Sequence, residues 1–180
     1  MKFRDLTADD IEVRIQSVKL DKNKNPQGVV LLLYKNARVD MSILDETVGA
    51  ENWQREHYEC KGNLFCKVGI NTNYGTDKPE KWVWKSDCGT ESNTEAQKGE
   101  ASDSFKRACF NWGIGRCLYT SPFIWVKPEK YNIQNGKCYD RFEVEKIKIE
   151  NNKIVGLSIV NNSIKSDDVK VKRCFVWSAK

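Results

Sequence analysis

Two runs, W-Q-R-E-H-Y-E-C from Trp53 to Cys60 and L-F-C-K-V-G-I-N from Leu64 to Asn71, are separated only by Lys61-Gly62-Asn63. So short a gap cannot hold the crossover that parallel strands need. The runs must therefore pair antiparallel, around a glycine-containing turn of three residues. A third run of similar texture, W-V-W-K-S-D-C from Trp82 to Cys88, follows the loop N-Y-G-T-D-K-P-E. After Gly89 the periodicity changes. At about 100° per residue, Ala101, Phe105, Ala108, Cys109 and Trp112 fall on one side of a helix. Thr94-x-x-Gln97 reads as its capping box and Gly113 as its stop. The predicted fold is α+β: a β-β-β-α core, an antiparallel meander with a long helix packed on it.

Upstream, L-T-A-D-D-I-E-V-R-I-Q-S-V starts with a Thr cap and spaces Ile11, Ile15 and Val18 for a first helix. The polar stretch D-K-N-K-N-P-Q-G reads as a loop, and Val29 to Tyr34 as a buried strand. R-V-D-M-S-I-L-D-E-T-V-G predicts a short helix with Val39, Ile43, Leu44 and Val48 on one face, ended by Gly49. Beyond Tyr119 the texture shifts, and Pro122 and Pro128 mark a loop. F-E-V-E-K-I-K-I-E and K-I-V-G-L-S-I-V then alternate with period two around Asn151-Asn152, the pattern of a hairpin, and V-K-V-K-R-C-F-V-W reads as one more strand. Residues 1–125 are expected to form the functional core. Residues 138–180 read as a C-terminal β-hairpin appendage with no motif that carries chemistry.

Several function classes are excluded or weakened. No apolar run approaches the roughly 20 residues that cross a bilayer, and M-K-F-R-D-L-T-A-D-D turns acidic too soon for a signal peptide. The chain therefore reads as intracellular, with no membrane partner. None of the seven cysteines forms a C-x-x-C, and the Cys60/Cys66 and Cys109/Cys117 spacings suit no zinc site, so they read as reduced, mostly buried thiols. The lone histidine, His57, excludes multi-histidine metal sites and reads as structural. There is no G-x-x-x-x-G-K-[ST] phosphate loop, and no cofactor is expected. A net charge of +5 is too small to identify a partner unless its position is known.

Position is what the long helix supplies. Asp103, Lys106, Arg107 and Phe110 cluster opposite its core side, and Phe110 neighbours both basic residues at three- and four-residue spacing. A solvated charged face or a subunit contact would explain this, and so would a groove that tracks nucleic-acid phosphates. Tyr74, Lys78, Lys81, Trp82, Trp84 and Lys85 interleave aromatic and basic character nearby, although Trp82 and Trp84 on one strand face suit a core. Asp87, Glu91 and Glu95 open a further alternative, a metal-dependent nuclease. The helix macrodipole favours acids at a helix start in any case.

The run Y-K-N-A-R-V-D-M-S-I-L-D-E-T-V-G-A-E-N-W, the meander, and G-T-E-S-N-T-E-A-Q-K-G-E-A-S-D-S-F-K-R-A-C-F-N-W-G-I-G-R-C-L-Y together resemble the single-strand annealing proteins of the Rad-fifty-two superfamily, closest to phage Sak-type recombinases. The resemblance covers about residues 5 to 120. It implies a ring- or filament-forming protein that binds single-stranded DNA without ATP and presents it to a complementary strand for homologous recombination and repair. In that role it is a non-hydrolytic annealer and no enzyme. Its expected setting is a bacterial host cytoplasm, with a phage exonuclease or single-strand binding protein as further partner. Lys106 and Arg107 match the family's DNA-contacting basic pair, and Arg38 the arginine of its first block. Lys22 and Lys24 fall where the family supplies a further basic contact. Phe110 departs from the basic residue of eukaryotic relatives, with Arg116 as a replacement and the groove edge or a subunit seam as the expected place of Phe110. A single-strand binding module without annealing remains the other DNA-binding reading.

Overall fold

A computed structural model describes residues 1–90 and 96–179. In chain order the elements are β1 (Glu12–Leu20), β2 (Pro26–Tyr34), α1 (Ala37–Val48), β3 (Trp53–Cys60), β4 (Asn63–Asn71), β5 (Trp82–Cys88), α2 (Ala96–Trp112), β6 (Ile124–Val126), β7 (Phe142–Glu150), β8 (Lys153–Asn161), α3 (Val169–Lys172) and β9 (Arg173–Ser178). The architecture is α+β with antiparallel sheets. The chain divides into two units, one of Met1–Asp5 and Asn36–Gly115, the other of Leu6–Lys35 and Arg116–Lys180.

The first unit holds the meander β3-β4-β5 with both long helices. Its hairpin turn is one residue shorter than the sequence spacing predicts. Asn63 already pairs with Cys60, and Lys61 and Gly62 alone turn the chain with φ of 54° and 74°. Positive φ at both turn positions matches the twist of the strands, and glycine supplies one of them without strain. On β4, Cys66, Val68 and Ile70 are fully buried, and they face α2, whose Phe105, Ala108 and Cys109 are also fully buried. Register puts Trp53, Arg55 and His57 of β3, and Val83, Lys85 and Asp87 of β5, on that same face. The Trp112 indole N–H donates to the Val68 carbonyl (2.9 Å), and His57 Nε2 lies 3.1 Å from the Ala101 carbonyl, the structural role expected of it. Burial pushes the Cys66 thiol up to about 11, against the opposing charge of Arg55, so this thiol stays protonated and inert.

Helix and sheet come into close contact at Gly89, just past the end of β5. A Cβ there would stand 2.2 Å from the Glu100 carbonyl oxygen and 2.9 Å from the Ser104 nitrogen. The opposite face of the meander carries Trp82 and Trp84, which is where the core expectation fails. Both point away from α2, and Trp84 is 39% exposed. The reason is register, because the core-facing positions of β5 are the alternate ones, Val83, Lys85 and Asp87. In α1, Asn36 Oδ1 accepts the Arg38 and Val39 N–H groups. Ile43, Leu44 and Val48 are buried, and Gly49 ends the helix at φ 83°. Thr94, on which the expected capping box of α2 rests, lies outside the described residues.

The second unit overturns the first predicted helix. Only Ala8–Asp10 is helical, as a 3-10 turn in which the Asp10 carboxylate accepts the Thr7 N–H (2.8 Å). Residues 12–20 are instead β1, paired along its length with β2. Ile11, Val13 and Ile15 alternate as well as they fit a helical stripe. β-branching and a ready partner strand, with Val29, Leu31 and Leu33 buried, decide for the sheet. The β1–β2 turn is tied by Asp21, which accepts from the Asn25 side chain (3.0 Å) and from the Asn23 and Asn25 backbone N–H groups (both 2.8 Å). The Asn25 side chain, above all, holds that carboxyl below its ordinary range.

Asn151 and Asn152 turn β7 into β8 with φ of 50° and 59°. V-K-V-K, expected as strand, is instead α3, because Asp168 caps it through the Lys170 N–H (2.8 Å). The expected loop between Pro122 and Pro128 contains β6, which pairs with β2. One sheet runs β6-β2-β1-β7-β8-β9, so the strands after residue 138 share a sheet with β1, β2 and β6, and the structure divides the chain differently from the 1–125 and 138–180 reading. Among the described residues the two three-stranded halves are joined by the single pair Glu12↔Glu143. A cleft of about 530 Å³ opens beside this seam, lined by Ile11, Val13 and Ile15 on one side and Phe142 and Val144 on the other.

The bidentate pair Glu145–Arg173 links β7 to β9, with Arg173 Nε 2.7 Å from Glu145 Oε2 and Ser158 Oγ donating to the same carboxylate (2.6 Å). Hydrogen bonding from Arg173 and then Ser158 lowers the Glu145 pKa from 4.5 to about 2. A depressed folded-state value means that stability from this group is fully present above pH 4.5 and disappears as pH falls toward about 2. Thermal melts of Glu145→Gln and the parent should therefore differ at neutral pH and converge across that acid window. A difference that persists unchanged through the window would mean that the carboxylate charge contributes nothing.

Candidate nucleic-acid interface

The outward side of α2 follows from its inward one. With Phe105, Ala108 and Cys109 committed to the meander, helical spacing sets residues 103, 106, 107 and 110 off that buried side, Arg107 exposed and the other three half-buried. Each member of the basic pair is held by a carboxylate. Lys106 Nζ lies 3.8 Å from Asp103 Oδ1, and Arg107 Nε lies 3.3 Å from Asp87 Oδ1 at the end of β5. Neutral donors fix the two acids in turn. Asp103 Oδ2 accepts from the Thr90 N–H and hydroxyl (both 3.2 Å), and Asp87 accepts from the Cys88 N–H (2.8 Å) and the Asn111 amide (3.3 Å). The cations are thus positioned without being sealed off, for the Arg107 side chain remains 44% exposed. Partly exposed ion pairs of this kind are worth about 0–1 kcal/mol, so a phosphate can replace the carboxylate at small cost.

Asp87 is in this way an anchor for Arg107, an arrangement unlike an open metal ligand. Glu91 and Glu95, the other two residues of the nuclease alternative, lie outside the described residues. Among the described residues no group of carboxylate, cysteine and histidine side chains is placed to hold a metal ion.

Arg38 sits at the second position of α1, exposed, with no acidic partner among the described residues. A cation there faces the positive end of the helix macrodipole, which disfavours it by about 0.3–1 kcal/mol. An anion bound at that end would remove the conflict. Phe110 is half-buried one helical turn beyond Lys106. After it, Gly113 at φ 109° stops α2, with the Gly113 and Ile114 N–H groups closing back on the Phe110 and Cys109 carbonyls. Arg38, Lys106, Arg107 and Phe110 therefore belong to the first unit. Lys24, exposed at φ 65° in the β1–β2 turn, and the exposed Arg116 belong to the second. Lys22, in the same turn as Lys24, is likewise exposed.

Three positioning roles were not read from the sequence: Asp87, named there as a metal-ligand alternative, as partner of Arg107, Asn111 as its clamp, and Lys85, named there only among the nearby basic residues, as a support of α2. Lys85 Nζ donates to the Asn111 carbonyl (2.9 Å) and lies 4.6 Å from the Trp112 ring centroid, so it secures the last turn of α2. The period-two alternation of W-V-W-K-S-D-C carried the signal, since it sets Val83, Lys85 and Asp87 on one face. No curated protein and no solved structure matches the chain. A family model does match, that of the Rad52/22 family double-strand break repair proteins, over residues 4–137.

Proposed function

The chain belongs to the Rad52/22 family of double-strand break repair proteins, and from that premise we propose that it binds single-stranded DNA and anneals complementary strands in recombination and repair without ATP. The observation that carries the proposal is the Lys106–Arg107 pair, set off the buried side of α2 and oriented by Asp103 and Asp87. Annealing of free strands is slowed by phosphate repulsion and by internal pairing. A row of cations that neutralises one backbone lowers the repulsion and leaves the bases free to pair, so base identity is left to the partner strand. Arg38 adds a cation at a helix end where an anion is favoured. Lys22, Lys24 and Arg116 are further phosphate contacts in this reading, and Phe110 borders the groove or a subunit seam. Repetition of the pair around a ring or filament would set the contacts in register along a strand. The sequence likeness to Sak-type recombinases supports a phage origin, with a phage exonuclease or single-strand binding protein as partner.

The test mixes two complementary labelled oligonucleotides, one able to form a hairpin, with the protein in EDTA and no ATP, and follows duplex formation by energy transfer. Duplex should form well above the spontaneous rate, with both strands recovered intact. Binding without acceleration would make this a single-strand binding module. Cleavage that requires added Mg²⁺ would make it a nuclease.

A further inference from the structure

The outer face of β6-β2-β1, in the second unit, carries an arrangement that α2 does not explain. Register aligns Trp125 with Val30 and Val30 with Ser17, and one step along it aligns Gly28 with Lys19, so all these residues share one face. Trp125 lies flat over Gly28, where a Cβ would stand only 2.1 Å from the indole Cζ2. A tryptophan laid on a sheet glycine covers bare backbone, which accounts for Trp125. It does not account for Phe123. That ring lies beyond Trp125, inclined to it by only 22° with centroids 6.2 Å apart, and it is 71% exposed. Lys19 and Lys127, both exposed, flank the Gly28 end of this surface, and neither has a carboxylate partner among the described residues.

We propose that this face is a base-stacking platform for single-stranded DNA, with Phe123 and Trp125 taking two successive bases and Lys19 and Lys127 the flanking phosphates. The ligand rests on the annealing reading above; the surface and its chemistry are new. A centroid spacing of 6.2 Å is about twice the ~3.4 Å between stacked neighbours on one strand, so the two rings suit an extended strand whose bases have come apart. Aromatic faces accept any base, and nearby lysines neutralise the backbone, the combination that sequence-tolerant single-strand binders use. A protein ligand would cover the rings but has no need of two unpaired cations beside them. The platform also has a purpose that α2 lacks. A base held on a ring is withdrawn from pairing within its own strand and leaves the ring to pair with the partner strand, so stacking here opens hairpins before annealing.

The test is photocrosslinking of the whole chain to oligo(dT) carrying one 5-iododeoxyuridine, read by mass spectrometry, together with binding to oligo(dT) and to an abasic strand of equal length. Crosslinks should map to Phe123 or Trp125. Phe123→Ala, at a position exposed enough to leave the melting temperature unchanged, should weaken oligo(dT) binding roughly tenfold, leave abasic binding unaltered, and be restored by Phe123→Trp. It should also slow annealing of the hairpin-forming strand more than of an unstructured one. Parental binding of oligo(dT) by Phe123→Ala, or crosslinks confined to other segments, would overturn the platform and leave the annealing reading standing. A parent chain that binds no oligo(dT) at low salt would overturn both.

Discussion

Replacing Lys106 and Arg107 together with alanine should cut single-strand affinity on the order of tenfold to a hundredfold near 0.1 M salt, equally for all base compositions. The slope of log K against log salt should flatten by about 1.4, two phosphate contacts at roughly 0.7 each on a single strand. Two effects combine in this loss. The cations go, and Asp87 and Asp103 are left as bare carboxylates facing the strand, still tethered by Asn111, Cys88 and Thr90. Stability should change little, because both side chains lie off the buried side of α2 and their ion pairs are partly exposed. The informative control is Arg107→Ala combined with Asp87→Asn, with Lys106 kept in place. If Arg107 serves only to neutralise Asp87, that variant recovers parental binding. If Arg107 meets phosphate, affinity recovers in part and a flattened slope remains. An unchanged slope in the folded variant lacking both Lys106 and Arg107 would remove α2 from the interface.

Gly89→Ala should be the most damaging single methyl in the first unit. The added carbon would meet backbone, the Glu100 carbonyl at 2.2 Å and the Ser104 nitrogen at 2.9 Å, and backbone cannot swing aside as a flexible side chain can. Its own N–H is also committed, donating to the Leu64 carbonyl (3.0 Å), while the Leu64 N–H donates to the Glu100 carboxylate (2.9 Å). Relief therefore requires α2 to lift from the meander, which disturbs the packing of Ser104 and Phe105 behind it. A cost of about 3 kcal/mol is expected from such overpacking, or roughly 6–12 °C in melting temperature for a chain of this size. Annealing should fail with it, since Lys106 and Arg107 move with the helix. The two losses can be separated by adding Lys106→Ala and Arg107→Ala, which should leave the melting temperature of Gly89→Ala where it is. A Gly89→Ala protein that melts like the parent would show that the helix has room to shift.

How far these elements were legible depends on how local their causes are. α1 could be read almost to the residue because a cap, an apolar stripe and a terminating glycine lie within its own stretch of chain. β5 could be read for the same reason. The first segment could not, because Ile11, Val13, Ile15 and Val18 satisfy a helical and an alternating pattern at once, and the choice is made by β2, a partner the local pattern does not contain. The V-K-V-K segment failed in the opposite direction, where a local cap at Asp168 outweighed strand-like alternation. At the candidate site, Lys106 and Arg107 were readable from helical spacing. Their acid partners were only half so, because the Asp87–Arg107 contact depends on which face of β5 meets α2. The Phe123–Trp125 surface was invisible, since the stretch between two prolines carries no period long enough to declare a strand.

The join between the two halves of the six-stranded sheet has a consequence for how the second unit breathes. Glu12 and Glu143, like charges directly opposite one another, form its only rung among the described residues, a pairing that repels. Each half keeps its own complete ladder on either side. The sheet can therefore open along this line, much as a book opens at its spine, without losing a hydrogen bond inside either leaf. In hydrogen–deuterium exchange the amides shared by β1 with β2, and by β7 with β8, should be protected as two separate cooperative blocks with their own opening energies. Added salt, by screening the two carboxylates, should bring those energies closer together.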